Sequence, residues 1–170
     1  MRDEKVLTLK EALVGLNAMV EEAEKQPGRP MCMGVADQHG IMICYYRMDG
    51  AGDWLREMVW KKAYTAAQFG ETTKALREAM RSEGMTIGGD FQHTQSTTVP
   101  GGVPIIPPGA EREEIGGYFK GEKEHLERGV TMERGQIGAC AAGGRWADED
   151  EMIAKVGAMA IQKLIWGGSK

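Results

Sequence analysis

Two short apolar runs around a tight turn, residues 31–36 and 41–46, constrain the fold of this chain more than any other feature. Asp37-Gln38-His39-Gly40 lies between them, with Asp and Gly where a type I turn favours them. Successive strand residues point to opposite sides of a sheet. A hairpin closed symmetrically on this turn sets Met33 opposite Cys44 and Cys32 opposite Tyr45. Met31, Met33, Val35 and Met42 then line one face, and Ile41, Ile43 and Tyr45 the other. A sheet apolar on both faces must be covered on both. Helices can cover one. The other requires more of the chain, a ligand or a second subunit, so self-association is expected.

The flanking sequence supplies the helices. Thr8 followed by Glu11 forms a capping-box pattern, and Leu9, Leu13, Leu16, Val20 and Ala23 repeat at helical spacing. Pro27-Gly28 ends this helix. Asp53 is the expected N-cap of a second helix reaching about Phe69, with Leu55, Met58, Val59 and Ala63 on its apolar side and Gly70 as C-cap. A third helix is expected over 72–81. Residues 84–108 are rich in Gly, Thr and Pro, and read as a long loop with one short strand. Long irregular loops inside compact domains are usually functional or disordered. Residues 136–142 read as a small-residue strand. Asp148 is the expected cap of a last helix with Met152, Ile153, Val156, Met159, Ala160 and Leu164 on its apolar face. The segment between about 106 and 135 is strongly charged and looks like an insertion. With 170 residues, no repeat and no linker, one α/β (α+β) domain over 1–170 is expected.

Composition excludes several functions. The net charge is −4 and no basic stripe appears, which argues against nucleic acid and anionic membrane surfaces as partners. No apolar run is long enough to span a bilayer, and the N-terminal stretch lacks the apolar core of a secretory signal. A cytoplasmic location is therefore expected. Three cysteines without CxxC spacing argue against a disulfide framework and a structural zinc site. Cys32 and Cys44 read as small buried apolar groups.

Several short segments, in order, carry a family resemblance. They are Val35-Ala36-Asp37 with Gly40, Arg47-Met48-Asp49-Gly50-Ala51, and Lys62-Ala63-Tyr64-Thr65-Ala66 with Phe69-Gly70. Pro100-Gly101-Gly102-Val103-Pro104-Ile105 follows, then Gly138-Ala139-Cys140 with Gly143-Gly144. In this order they resemble the GlcG/HbpS family, which includes the C-terminal domain of PduO. The resemblance implies a profilin-like fold, a central antiparallel sheet with flanking helices. It also implies homo-oligomers, and a pocket between the sheet, the Lys-Ala-Tyr-Thr helix and the Pro-Gly-Gly-Val-Pro loop. Haem or a related tetrapyrrole is the ligand it implies. The long segment 106–135 and the polar stretch 84–99 depart from the family pattern.

The candidate site residues follow from chemistry and position. His93 lies in the Gly-rich loop with Asp90, Gln92 and Thr94. Imidazole serves as a haem axial ligand or a general base; the competing reading is an exposed loop residue. Lys62 is a candidate for holding a carboxylate or propionate, or for acting as a base if buried. Tyr64 offers a hydroxyl in an apolar setting. The plainer reading makes Lys61 and Lys62 surface charges and Tyr64 core. Gly101 and Gly102 allow close backbone approach to a ligand or an amide cradle for an anion, or else serve a turn set by two prolines. Glu122 and His125 share a face if helical, which suits a metal, although a solvated charged face explains them as well. His39 reads as an exposed turn residue. Cys140 reads as buried filler, with a thiolate role open. Gly143-Gly144 before a helix could take an anion, but the acidic first turn already supplies that charge. The first functional reading is haem or tetrapyrrole binding, with His93 on the iron and Lys62, Tyr64, Gly101 and Gly102 around the porphyrin. The alternative is an enzyme acting on a small carboxylated metabolite by proton transfer. There His93 or a Glu of the charged insertion is the base, Lys62 the carboxylate anchor and the Gly101-Gly102 amides an oxyanion site.

Overall fold

The computed structural model describes residues 5–110 and 135–167. Helix α1 (Leu9–Lys25) is followed by strands β1 (Cys32–Asp37) and β2 (Met42–Arg47), then helices α2 (Trp54–Phe69) and α3 (Thr73–Ser82). A single π-helical turn at Ile87–Phe91, strand β3 (Gly102–Ile105), strand β4 (Gly138–Gly143) and helix α4 (Ala147–Trp166) complete the order. The strands form one antiparallel sheet in the order β2-β1-β4-β3. Helices α1 and α4 cover one face, and α2 covers the other over β1, β4 and β3. The α/β fold with a central antiparallel sheet and flanking helices is the one the sequence implied.

Local chemistry explains the elements. Thr8 and Glu11 make both bonds of the expected capping box. Gly70 ends α2 in the left-handed conformation, and its N–H donates to the Ala66 carbonyl. Two expected caps differ. Asp53 sits in helical geometry without a cap bond, and its carboxylate pairs with Arg47 instead. Helix α4 starts one residue before Asp148, and Glu149 accepts the Trp146 N–H at 3.1 Å. Asp148 pairs with Lys74. The α1 and α4 axes approach closely because Gly15 and Gly157 face each other. A Cβ on Gly157 would lie 2.6 Å from the Met19 Cγ and 3.1 Å from the Gly15 carbonyl oxygen.

The hairpin register departs from the symmetric expectation. Cys32 pairs with Arg47, Met33 with Tyr46 and Val35 with Cys44, whereas Ala36 pairs with Met42. One residue of the shift comes from the turn: Asp37 exchanges a bond with Ile41, and Gly40 takes a positive φ of +77°. The other comes from a bulge that leaves Ile43 without a partner. A bulge turns two successive side chains to one face. Ile43 and Cys44 therefore both pack towards α1 and α4, while Met42 and Tyr45 pack towards α2. The expected positions of Met42 and Ile43 are exchanged. Cys32 and Cys44 still lie on opposite faces, as the alternation required.

Strand β4 is buried throughout because helices cover both its faces. Its Gly138-Ala139-Cys140-Ala141-Ala142-Gly143 sequence fits, since small side chains let α2 and α4 approach the sheet. Pro104 is tolerated in β3 because that strand is an edge and bonds only to β4. Among the described residues, no helix is long and apolar enough to cross a membrane.

A Cβ on Gly138 would run into the Ala36 carbonyl oxygen, a backbone atom of the paired strand. Gly138→Ala is expected to destabilise the fold by about 1–3 kcal/mol through overpacking, read as a lowered midpoint in urea unfolding. An unchanged midpoint would show that the centre of the sheet has slack.

Candidate functional site

Helix α2 presents two chemically different faces. Leu55, Val59, Lys62, Ala63 and Ala66 are buried towards the sheet. Glu57, Trp60, Lys61 and Tyr64 stand on the outward side, at helical spacings of three and four. The loop after the π-helical turn lies over this outward face. It is tied down where the Thr97 N–H donates to the Thr65 hydroxyl at 2.9 Å, and that hydroxyl donates to the Lys61 carbonyl at 2.8 Å.

Between loop and helix is a pocket of about 330 Å³ lined by Glu57, Trp60, Lys61, Tyr64, Thr94 and Gln95. At its rim the Tyr64 and His93 rings stack, 5.5 Å between centroids and 12° from parallel. The Ser96 hydroxyl and His93 Nδ1 are 2.9 Å apart, which orients the imidazole. The β1–β2 turn packs against two of the pocket's aromatic residues. A Cβ on Gly40 would lie 2.6 Å from Tyr64 Cδ2, so glycine meets both the positive φ and the close approach there. The Trp60 indole N–H donates to the Gly40 carbonyl at 3.4 Å. Lys61 and Glu57 pair at 2.7 Å across one helical turn, and that bond holds the Glu57 carboxyl below its usual range.

Lys62 points the other way, because residues two apart on a helix do not share a face. It is 1% exposed. Its ammonium donates to Asp150 Oδ2 at 3.0 Å and to the Ala142 carbonyl at 2.8 Å. Asp150 Oδ1 accepts the Arg145 N–H at 3.0 Å. Burial pulls the Lys62 pKa down and pushes that of Asp150 up, and the pairing opposes both shifts. Gly101 and Gly102 pack against the same lysine. A Cβ on Gly101 would lie 2.8 Å from Lys62 Nζ, and one on Gly102 would collide with the Lys62 carbonyl. The Gly102 N–H donates to the Thr73 hydroxyl at 3.1 Å.

The predicted site residues thus divide into two groups. Tyr64 and His93 come together at the pocket. Lys62, Gly101 and Gly102 come together at a buried ion pair, with the lysine's ammonium and the Gly102 amide already bonded within the chain. The ammonium expected to hold a carboxylate is thus engaged by Asp150 and Ala142, and the Gly102 amide by Thr73. The proton-transfer constellation of His93, Lys62 and these glycines is not assembled around one cavity. Trp60, Lys61, Glu57, Thr94 and Gln95 were missed. The signal for the first three was the spacing back from Tyr64 along the helix.

Cys140 is fully buried, and burial pushes its thiol pKa up, away from thiolate chemistry. His39 is exposed on the turn, where its backbone N–H donates to Asp37. Glu122, His125 and most of the charged segment lie outside the described residues. Among the described residues no cluster of three His, Cys, Asp or Glu side chains is placed to hold a metal ion.

A four-stranded antiparallel sheet with one helix on one face and two on the other, and a pocket between α2 and its overlying loop, defines a small α/β domain of known type. The chain belongs to the family described as haem degrading protein HbpS-like, whose model matches residues 7–118. No curated protein matches the sequence. Among solved structures, a double mutant of Streptomyces reticuli HbpS is similar at a TM-score of 0.69, with 24% identity over 94% of this chain and 89% of that one. The structure titled PduOC:Heme complex is similar at a TM-score of 0.66, with 22% identity over 92% of this chain and 95% of that one. The Klebsiella pneumoniae protein ORFY gives a TM-score of 0.67 and 19% identity, covering 95% of this chain and 96% of that one. At these identities the likeness is one of fold.

Removing one partner from a buried ion pair strands the other charge. Lys62→Met and Asp150→Leu are each expected to cost about 3–5 kcal/mol. The double variant Lys62→Met/Asp150→Leu is expected to recover much of that loss, as measured by denaturant unfolding. Losses that simply add in the double variant would show that the two groups do not depend on each other.

Proposed function

We propose that this protein binds haem or a related tetrapyrrole in the pocket between α2 and the loop carrying His93, with His93 as the axial ligand. The observation that carries the reading is the pairing of an aromatic pocket wall with an oriented imidazole. Trp60, 53% exposed in the pocket wall, offers a flat apolar face to a planar macrocycle. The contact between Ser96 and His93 uses Nδ1, leaving Nε2 as the ring atom to meet an iron. Haem would supply the iron chemistry, and the chain supplies a planar wall and one nitrogen donor. A pocket of about 330 Å³ lies at the small end of ligand sites. It accommodates part of a macrocycle and leaves the remainder at the surface. Membership of a haem-degrading family supports the same ligand class.

Self-association belongs to this proposal. Strand β2 is an edge, and Ile41 and Tyr46 beside it are 63% and 38% exposed. Exposed apolar side chains at a sheet edge favour association with a second copy. Light scattering on the purified protein is expected to give a mass above that of one chain; a monomer at all concentrations would remove this part of the proposal.

Titration of the purified protein with haem is expected to give saturable binding and a shifted Soret band. His93→Ala is expected to lose that shift while keeping the wild-type unfolding midpoint, since His93 is exposed. An unchanged spectrum in the variant would remove the ligand assignment.

A further inference from the structure

We infer that Lys61 selects ligands with an acidic edge for the α2 pocket, and that Glu57 is its built-in competitor, displaced when such a ligand enters. The inference rests on the pocket being the ligand site and adds which ligands it prefers. The residues lining the cavity include one cation and one anion, Lys61 and Glu57, paired at 2.7 Å. The opposing loop contributes Thr94 and Gln95, which are neutral. The other lysine of this helix segment, Lys62, is bonded to Asp150 on the far side. An acidic group entering the pocket therefore meets one cationic wall residue.

The two members of the surface pair are not equivalent. The Glu57 side chain is 69% exposed and the Lys61 side chain 32%. If the pair opens, Glu57 rehydrates at little cost, because its carboxylate already borders solvent. Lys61 stays in the pocket wall, and its ammonium then needs a new anion. A ligand carboxylate can take that place while the planar body of the ligand lies against Trp60, which is 53% exposed. A planar cation would have to take Glu57 and expel the more buried Lys61, which is the less favourable exchange. The pair therefore favours planar acids over planar cations and over uncharged planar molecules.

The test uses metal-free protoporphyrin and its dimethyl ester, which share a ring and differ in charge, so that His93 ligation to iron plays no part. Binding is followed by absorbance and tryptophan quenching in wild type, Glu57→Gln and Lys61→Met. Glu57→Gln is expected to bind the diacid about two- to five-fold more tightly, the range set by one solvent-exposed ion pair. Lys61→Met is expected to bind the diacid several-fold more weakly, and neither variant is expected to change diester affinity. Equal changes for diacid and diester, no change in either variant, or weaker diacid binding in Glu57→Gln would overturn the assignment. If wild type binds haem but neither metal-free porphyrin, the ligand site stands and the role of Lys61 falls. If it binds neither haem nor porphyrin, both fall.

Discussion

The buried pair of Lys62 and Asp150 is the interaction on which the arrangement of this domain depends. It joins α2, the end of β4 and the first turn of α4 at one point, with Gly101 at the entry to β3 packed against it. A lone ammonium in this setting would be prohibitively desolvated. It is accepted because a carboxylate and a backbone carbonyl both receive it, and because that carboxylate is itself bonded to the Arg145 amide. Such a pair contributes less to net stability than its contacts imply, since desolvation offsets most of the attraction. Its stronger effect is on geometry: the helices must meet the sheet where both charges are satisfied.

Fixing α2 in this way decides which of its side chains reach solvent. With Lys62 turned inward, Lys61 and Tyr64 face outward, together with Trp60 and Glu57. The Thr65 hydroxyl then links the two sides, since it bonds the α2 backbone and anchors the overlying loop through Thr97. The pocket is thus a consequence of the core. The Gly40 turn supports Tyr64 from behind, because glycine lets the hairpin approach that ring so closely at its backbone angle.

Much of the architecture was legible in the sequence. The capping box at Thr8 and Glu11, the Gly70 terminator and the small-residue strand all stand where local chemistry put them. Hairpin register was less legible, because one bulge at Ile43 shifts the pairing, exchanges the faces of Met42 and Ile43, and leaves no signature in an apolar run. Helix capping by Asp53 failed for a tertiary reason, its carboxylate being drawn to Arg47. At the site, Tyr64 and His93 were readable as chemistry-bearing residues in a helix and a loop. Their contact joins residues 29 positions apart, beyond the reach of any local pattern.

The sequence by itself determined the elements, the need to cover the sheet on both faces, and the family to which the chain belongs. These rest on periodicity, caps and motif order, which are properties of neighbouring residues. Only the tertiary structure decided which of two adjacent lysines is a buried ion-pair partner and which stands in a pocket wall. The reason is rotational: one step along a helix turns a side chain by about 100°. What it then meets depends on Asp150 and Thr94, which reach it from distant parts of the chain.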